Sequence, residues 1–237
     1  MKRIVMILGG KGGTGKTAFL RLLIDLLASL DLNYLAYDAD TENPDLYDYY
    51  KEFGRGVTLL DFLEVASAKR FFTELKTQAP DVVVLDMPGA VGNKTREIIK
   101  KFGLFKIAKD LGYRVTLVTV LNLDFPVINS LRTMAEFCGN SVDYVVVKNL
   151  CWDKGIGFQR WEHSQTRAII TELNGKEIEM PELEYTTFDA LRDQGLAYSA
   201  ATESNGFPYG DYLLVDGFLD QAKPELEKAA DYLGLAM

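Results

Sequence analysis

Short apolar runs rich in β-branched residues alternate with amphipathic stretches along the first two thirds of the chain. The runs predicted to be buried strands are RIVMIL (3–8), NYLAYD (33–38), DVVVLDMP (81–88), YRVTLVTVL (113–121) and DYVVVKN (143–149). Stretches with apolar positions at helical spacing lie between them, at 16–30, 59–77, 94–111 and 125–138. This alternation predicts an α/β fold with a mostly parallel central sheet and helices on both faces.

The alternation weakens after Asn149. Helices are still predicted at 159–173, 188–195 and 209–233, and the short run KEIEMPEL is predicted to be a strand that ends at Pro181. The sequence contains no internal repeat, low-complexity tract or linker. We therefore expect one domain spanning residues 1–237.

The loop between the first strand and the first helix has the sequence GGKGGTGKT, at residues 9–17. It contains the pattern GxxxxGK[ST], and a strand before it and a helix after it are the context of a phosphate-binding loop. Glycines let backbone N–H groups surround phosphate oxygens, and the helix N-terminus adds a positive potential. Lys16 is expected to contact the β- and γ-phosphates of ATP, and the Thr17 hydroxyl is expected to bind Mg²⁺. The predicted ATP-binding residues of this loop are Gly10, Gly12, Gly13, Thr14, Gly15, Lys16, Thr17 and Ala18.

A phosphate loop needs one lysine, and Lys11 is a second. The run KGGTGKT resembles the deviant Walker A motif of the ParA/MinD family of ATPases. In that family the early lysine crosses a dimer interface and contacts the phosphates bound by the partner subunit, where a positive group stabilises phosphoryl transfer. The resemblance implies that Lys11 binds ATP and acts catalytically, with Lys16, in an ATP-dependent homodimer. The alternative is a solvated loop lysine.

Two further stretches resemble the switches of the same family. AYDADTENPDL (36–46) is similar to the first switch, which implies that Asp40 positions the attacking water and that Asp38 lies near the metal. VVVLDMPG (82–89) is similar to the Walker B strand and second switch, which implies that Asp86 holds Mg²⁺ through water. The implied metal-binding residues are Thr17, Asp38, Asp40 and Asp86, although Asp38 and Asp40 can also be helix-capping acids.

A third match concerns the base of the nucleotide. The resemblance implies that Asn149 lies against the adenine and that backbone groups of Pro181, Glu182 and Leu183 contact the base edge. An asparagine at the end of a strand can also be a simple turn residue. The chain departs from the family pattern at Glu42, where a glutamine is usual, and at Ala18, where a second hydroxyl is frequent; we expect slightly weaker nucleotide binding from Ala18.

The resemblance implies an ATPase that uses Mg²⁺, hydrolyses slowly without a stimulating partner, and positions a cargo. In size and layout the chain is similar to the small ParA-like proteins of mobile elements, the StbB, MobD and TraL types, which favours partition, positioning or conjugative transfer of a plasmid or mobile element. Two alternatives stay open. One is a metabolic ligase resembling dethiobiotin synthetase or the cobyrinate amidases, and the other is a nucleotide-binding protein that does not hydrolyse because Glu42 disturbs the switch.

Charge and composition limit the possible partners. The formal net charge is −8, yet residues 94–114 hold seven Lys/Arg against Glu97 and Asp110. Non-specific DNA binding through Lys94–Arg114 is therefore a hypothesis, with a solvated helix face as its alternative. Apolar runs are shorter than the ~20 residues of a membrane span. The acidic C-terminal stretch, which contains Pro224, differs from the basic amphipathic helix that ends MinD-type proteins. We expect a cytoplasmic protein that does not bind membranes.

The cysteines and the histidine offer little chemistry. Cys138 and Cys151 lack CxxC spacing and are predicted to be reduced thiols, and the lone His163 is predicted to lie on the surface.

Overall fold

The computed structural model describes residues 1–9, 12–89, 92–153 and 155–236. In these residues seven strands form one sheet: β1 (Lys2–Ile7), β2 (Tyr34–Asp38), β3 (Val57–Leu59), β4 (Val82–Asp86), β5 (Tyr113–Leu121), β6 (Asp143–Asn149) and β7 (Lys176–Met180). Their order across the sheet is β3-β2-β4-β1-β5-β6-β7. Each neighbouring pair is parallel, so the predicted parallel sheet is confirmed.

Helices connect the strands. In chain order they are α1 (Lys16–Ser29), α2 (Asp45–Tyr50), α3 (Val65–Gln78), α4 (Gly92–Phe102), α5 (Leu104–Asp110), α6 (Phe125–Cys138), α7 (Gln159–Glu162), α8 (Gln165–Glu172), α9 (Tyr185–Asp193), α10 (Tyr209–Glu227) and α11 (Ala230–Leu233). Helices α1, α2, α9, α10 and α11 pack on one face of the sheet, and α3 to α8 pack on the other. The α/β fold class predicted from the sequence is thus confirmed.

The central strand shows why the strands are hydrophobic without alternation. Val5 and Ile7 of β1 belong to the apolar cluster under α1 and α10, whereas Ile4 and Met6 belong to the cluster under α3 to α6. Successive side chains of a strand point to opposite faces, and here both faces are covered. All four side chains are fully buried.

Several element boundaries differ from the prediction. The helix expected at 59–77 begins at Val65, because residues 57–59 pair with β2 as an edge strand and the Glu64 carboxylate caps the helix by accepting the Ser67 N–H at 2.7 Å. The helix expected at 94–111 is broken at Gly103, whose φ is 63°. The helix expected at 159–173 is divided before Ser164, which caps α8 by accepting the Arg167 N–H at 3.0 Å.

The carboxyl ends of the parallel strands meet at one edge of the sheet, where open α/β sheets bind ligands. Asp38 at the end of β2 lies in register with Asp86 at the end of β4, and Asn149 of β6 lies in register with Met180 of β7. Asp38, Asp86 and Asn149, which were predicted as site residues from separate segments, therefore lie at this edge.

Three smaller observations complete the fold. His163 is exposed, as predicted, and neither Cys138 nor Cys151 is part of a disulfide. Within the described ranges, none of the helices combines the length and the apolar character that a membrane crossing requires.

Candidate functional site

The N-terminus of α1 is built to receive an anion. Gly15 precedes the helix with φ of 99°, a conformation that strains any other residue, and none of the described side chains caps the first turn. That turn also lacks acidic residues. The N–H groups of Lys16, Thr17 and Ala18 therefore start the helix without a competing side-chain acceptor, which is the arrangement that binds phosphate.

Lys16 lies close to the backbone of the loop that enters the helix. A Cβ at Gly9 would lie 2.9 Å from Cδ of Lys16, so glycine leaves room for the lysine side chain to pass. Gly10 and Lys11, both predicted to bind ATP, lie outside the described residues. Gly12 and Gly13 have open space where a Cβ would stand, although Gly13 has φ of 78°.

Asn149 supports the phosphate loop from the neighbouring strands. Its Nδ2 donates a hydrogen bond to the carbonyl of Thr14 at 2.9 Å, and its Oδ1 accepts the N–H of Cys151 at 3.2 Å. The Asn149 side chain is buried, and a Cβ at Gly15 would lie 2.3 Å from its Nδ2. The predicted contact with adenine remains a prediction, while the bond to Thr14 gives Asn149 a role that sequence reasoning missed.

Thr17 and Asp86 form the core of the predicted metal site. Oγ1 of Thr17 donates a hydrogen bond to Oδ2 of Asp86 at 3.0 Å. Burial raises the pKa of Asp86 to about 7, and the nearby carboxylate of Asp38 adds to the increase. The positive charge of Lys16 and the hydrogen bond from Thr17 lower the pKa of Asp86, but they only partly offset these effects.

The two aspartates of the predicted first switch are linked through the carboxylate of Asp38. Asp38 accepts the N–H of Asp40 at 3.0 Å and the N–H of Tyr47 at 3.1 Å. Burial raises the pKa of Asp38 to about 6, and the charge of Asp40 contributes to the increase, whereas the backbone hydrogen bonds oppose it. Asp40 is partly exposed, and its Oδ1 accepts the N–H of Asn43 at 3.2 Å.

This donor set fits magnesium bound together with phosphates. Among the described residues no group of three His, Cys, Asp or Glu side chains forms a complete metal cage. Mg²⁺ does not need one, since it retains waters and uses one or two carboxylates with substrate phosphates. The hydroxyl of Thr17 beside two buried carboxylates, Asp38 and Asp86, provides such partial ligation next to the start of α1.

A cavity of about 480 Å³ extends from the start of α1 along the ends of β6 and β7. Gly13, Gly15 and Ala18 line its phosphate end. The other predicted residues that line it are Asn149, Pro181, Glu182 and Leu183. The structure thus brings three of the loop residues predicted to bind ATP and the predicted base-binding residues onto the walls of one cavity, whereas Gly12, Thr14, Lys16 and Thr17 are not part of its lining.

Most of the aromatic lining of this cavity was not predicted. The cavity is also lined by Cys151, Trp152, Met180, Tyr185, Phe188, Tyr198 and Phe218. Tyr185 and Phe188 lie on α9, Tyr198 lies in a short 3-10 turn (Tyr198–Ala200), and Phe218 lies on α10. These residues come from loosely patterned segments after Asn149, so hydrophobic periodicity carried no signal for them. Their aromatic character beside a predicted base-binding loop was the signal available.

Known proteins that are similar to this chain have a fold that agrees with this geometry. No protein-family model matches the chain. The chain is 25% identical to protein MobD of Acidithiobacillus ferrooxidans over 228 residues, which cover 95% of this chain and 97% of MobD. Among solved structures, it is similar to the MinC:MinD cell division protein complex of Aquifex aeolicus, with 18% identity, a TM-score of 0.55, and coverage of 94% of this chain and 96% of that one.

A second solved structure is the septum site-determining protein MinD complexed with Mg-ADP from Pyrococcus horikoshii OT3. It has 17% identity and a TM-score of 0.54, and the match covers 94% of this chain and 96% of that one. These neighbours confirm the fold that the resemblance implies. This chain has the fold of the MinD-type P-loop NTPases.

Proposed function

We propose that this protein is a Mg²⁺-dependent ATPase that dimerises when it binds ATP and separates after slow hydrolysis. The observation that carries the proposal is the junction of three features at one sheet edge. The uncapped start of α1 meets the hydrogen-bonded pair Thr17–Asp86 and opens into the cavity of about 480 Å³. The start of α1 suits a triphosphate, the Thr17–Asp86 pair suits a metal ion, and the cavity suits a nucleoside.

Each part of the proposed ligand has its own place in the site. The phosphates would lie at the first turn of α1, where Lys16 supplies the positive charge, and Thr17, Asp86 and Asp38 would hold Mg²⁺. The adenosine occupies the cavity between Asn149 and the loop at 181–183. Mg²⁺ bound there supplies neutralisation of the phosphate charge during phosphoryl transfer.

Two residues complete the proposed catalytic set. Asp40 is partly exposed beside the buried carboxylates; its backbone N–H is bonded to Asp38 and its Oδ1 accepts the N–H of Asn43, and we assign this carboxylate the role of orienting a water at the γ-phosphate. Lys11 reaches the phosphates of the partner subunit in the ATP-bound homodimer. Hydrolysis then removes the group that holds the two subunits together.

The comparisons support the nucleotide and the existence of a partner. MinD of Pyrococcus horikoshii is complexed with Mg-ADP, and MinD of Aquifex aeolicus is part of a complex with MinC. By analogy we propose that a second protein stimulates this ATPase. The similarity to MobD favours a cytoplasmic role in partition, positioning or conjugative transfer of a plasmid or mobile element.

The solution mass of the protein tests this proposal directly. Light scattering in Mg²⁺ should give the mass of one chain without nucleotide and with ADP, and the mass of two chains with ATP. ATP turnover should be slow and should not depend on small carboxylic acids. A protein that stays monomeric with ATP and hydrolyses it only when such an acid is present would instead be a ligase of the dethiobiotin synthetase type.

A further inference from the structure

A buried carboxylate on α1 connects two segments that flank the candidate site. Asp25 is 4% exposed and lies two turns beyond Thr17. Its Oδ2 accepts the hydroxyl of Tyr50 at 2.7 Å and the N–H of Tyr198 at 2.9 Å. Its Oδ1 accepts the N–H of Ser199 at 3.1 Å and also the hydroxyl of Ser199. Asp25 therefore joins the last residue of α2 to the turn that carries Tyr198 into the cavity wall.

Arg21 makes a second connection between the same two segments. Its guanidinium is buried and lies 4.9 Å from the ring centre of Tyr49 and 5.5 Å from that of Tyr50, both on α2. On the other side it lies 5.5 Å from the ring of Phe188 and 4.9 Å from the ring of Tyr198, which both line the cavity. A buried cation between aromatic faces gains more than an exposed one, so these contacts fix the four rings relative to α1.

Helix α2 is held at its other end by the candidate metal site. The N–H of Tyr47 donates to Oδ2 of Asp38 at 3.1 Å, and Tyr50, one turn later, donates to Asp25. The six-residue helix thus lies between two buried carboxylates. Because a helix as short as α2 moves as a unit, the hydrogen bond from Tyr50 to Asp25 also determines where the N–H of Tyr47 meets the carboxylate of Asp38.

We propose that Asp25 and Tyr50 are positioning residues for the metal site: they hold α2 so that Tyr47 keeps Asp38 oriented toward Mg²⁺. Arg21 ties the same helix to the aromatic wall of the cavity, so one buried cluster sets both the metal end and the base end of the site. This inference rests on the proposed function, because it concerns the Mg²⁺ requirement of ATP hydrolysis.

Two variants that each remove one hydroxyl donor to Asp25 separate this role from simple stability. Tyr50→Phe removes the hydrogen bond from α2 and keeps the ring over Arg21, whereas Ser199→Ala removes the hydroxyl bond from the cavity turn and leaves the two backbone N–H bonds from Tyr198 and Ser199. We expect Tyr50→Phe to raise the Mg²⁺ concentration for half-maximal ATP hydrolysis about 10-fold, in line with the loss of one buried hydrogen bond. Its Kd for ATP in EDTA should stay within about twofold of wild type. Ser199→Ala should leave the Mg²⁺ midpoint within about twofold.

The outcomes distinguish the inference from the proposed function. A wild-type protein that binds no ATP would overturn both. In a wild type that hydrolyses ATP, an unchanged Mg²⁺ midpoint in folded Tyr50→Phe, or an equal shift in Ser199→Ala, would overturn the inference alone. If circular dichroism shows that Tyr50→Phe does not fold, Asp25→Asn provides the same test. It keeps the shape of the side chain and weakens the acceptor, and it should raise the Mg²⁺ midpoint in the same direction.

Discussion

The hydroxyl of Thr17 donates to the carboxylate of Asp86 at 3.0 Å, so the first turn of α1 is bonded directly to the end of β4. The two groups proposed for Mg²⁺ are therefore assembled by the fold itself. Their assembly has a cost, because Asp86 is buried next to Asp38, and among the described residues the charge of Lys16 and the hydrogen bond from Thr17 offset this only in part. The proximity of the Asp38 carboxylate therefore opposes ionisation of Asp86.

The nucleotide-free protein should lose stability as the pH rises from about 4 to about 7. Burial and the charge of Asp38 raise the pKa of Asp86 to about 7, so the folded state binds a proton that the unfolded state has already released in this range. The effect is on the order of 4 kcal/mol for the full shift. Asp86→Asn should therefore raise the Tm at pH 8 and change it little at pH 4, as measured by thermal unfolding.

Asp143 provides a control of opposite sign. Burial alone would raise the pKa of Asp143, but the hydrogen bonds from Arg114 and Arg3 lower it overall. Asp143→Asn should thus lower the Tm at neutral pH, with the difference shrinking as the pH falls below about 4. Equal pH profiles for Asp86→Asn and wild type would contradict the burial-driven shift at Asp86.

Lys16→Ala should abolish measurable ATP binding, because the first turn of α1 then offers the β- and γ-phosphates no charge from its own subunit. We expect the Kd to rise at least about 100-fold in titration calorimetry. Lys69→Ala, at an exposed position of α3, is the matched control and should bind as wild type does. Tight ATP binding by Lys16→Ala would refute the phosphate-loop assignment.

Lys11 and Asp40 should give opposite phenotypes. Lys11→Ala should bind ATP through Lys16 and the loop amides, remain monomeric in light scattering with ATP, and hydrolyse at the background rate. Asp40→Ala should bind ATP and persist as a dimer, because only the group that positions water is lost. An active, dimeric Lys11→Ala protein would make the second lysine an ordinary loop residue.

Asn149→Ala should weaken binding of the phosphates as well as of the nucleoside. The substitution leaves the Thr14 carbonyl and the Cys151 N–H without the partner they have in the structure, which costs about 1–3 kcal/mol and loosens the loop. We expect the Kd values for ATP and for inorganic tripolyphosphate to rise together, about 10-fold. If only ATP binding weakens, Asn149 acts on the base and not on the loop.

Retention of DNA, if it occurs, should depend on α5. Lys106 and Lys109 are exposed on this helix, whereas Arg114 is bonded to Asp143 and is withdrawn from the basic surface expected at 94–114. Replacing Lys106 and Lys109 by glutamate should remove ATP-dependent retention of non-specific duplex DNA in a filter assay. The same change at Lys69 and Lys76 of α3, with equal net charge, should not. Absence of retention by wild type at low salt would end the hypothesis.

The sequence predicted the parts of the fold that rest on strong local signals. The uninterrupted apolar runs of β1 and β4, and the glycine-rich turn into α1, follow from burial on two faces and from backbone geometry, and both are found as expected. The edge strand β3 and the helix α2 were missed. Each is so short that pairing with β2 and the hydrogen bond from Tyr47 to Asp38, rather than local periodicity, determine it.

The candidate site was predicted in outline and not in its connections. Spacing and resemblance predicted Thr17, Asp86 and Asn149, but the bonds that they make join segments far apart in the chain. The cluster of Arg21 and Asp25 was invisible for the same reason. In the sequence they are two charged residues within an apolar helix, and only the packing of α2 and the turn at 198–200 gives them partners.

The bond from Asn149 to Thr14 also constrains how such a protein can evolve toward a different base. A substitution at 149 that suited another nucleobase would release the Thr14 carbonyl, and phosphate binding would weaken at the same time. Gly15 is constrained by the same side chain, because any Cβ at position 15 would collide with the side-chain amide of Asn149. Pro181 and Leu183 line the cavity from a separate segment after β7, so changes there alter its shape without breaking this bond. Descendants with a new base preference should therefore vary at 181–183 and retain Gly15 and Asn149.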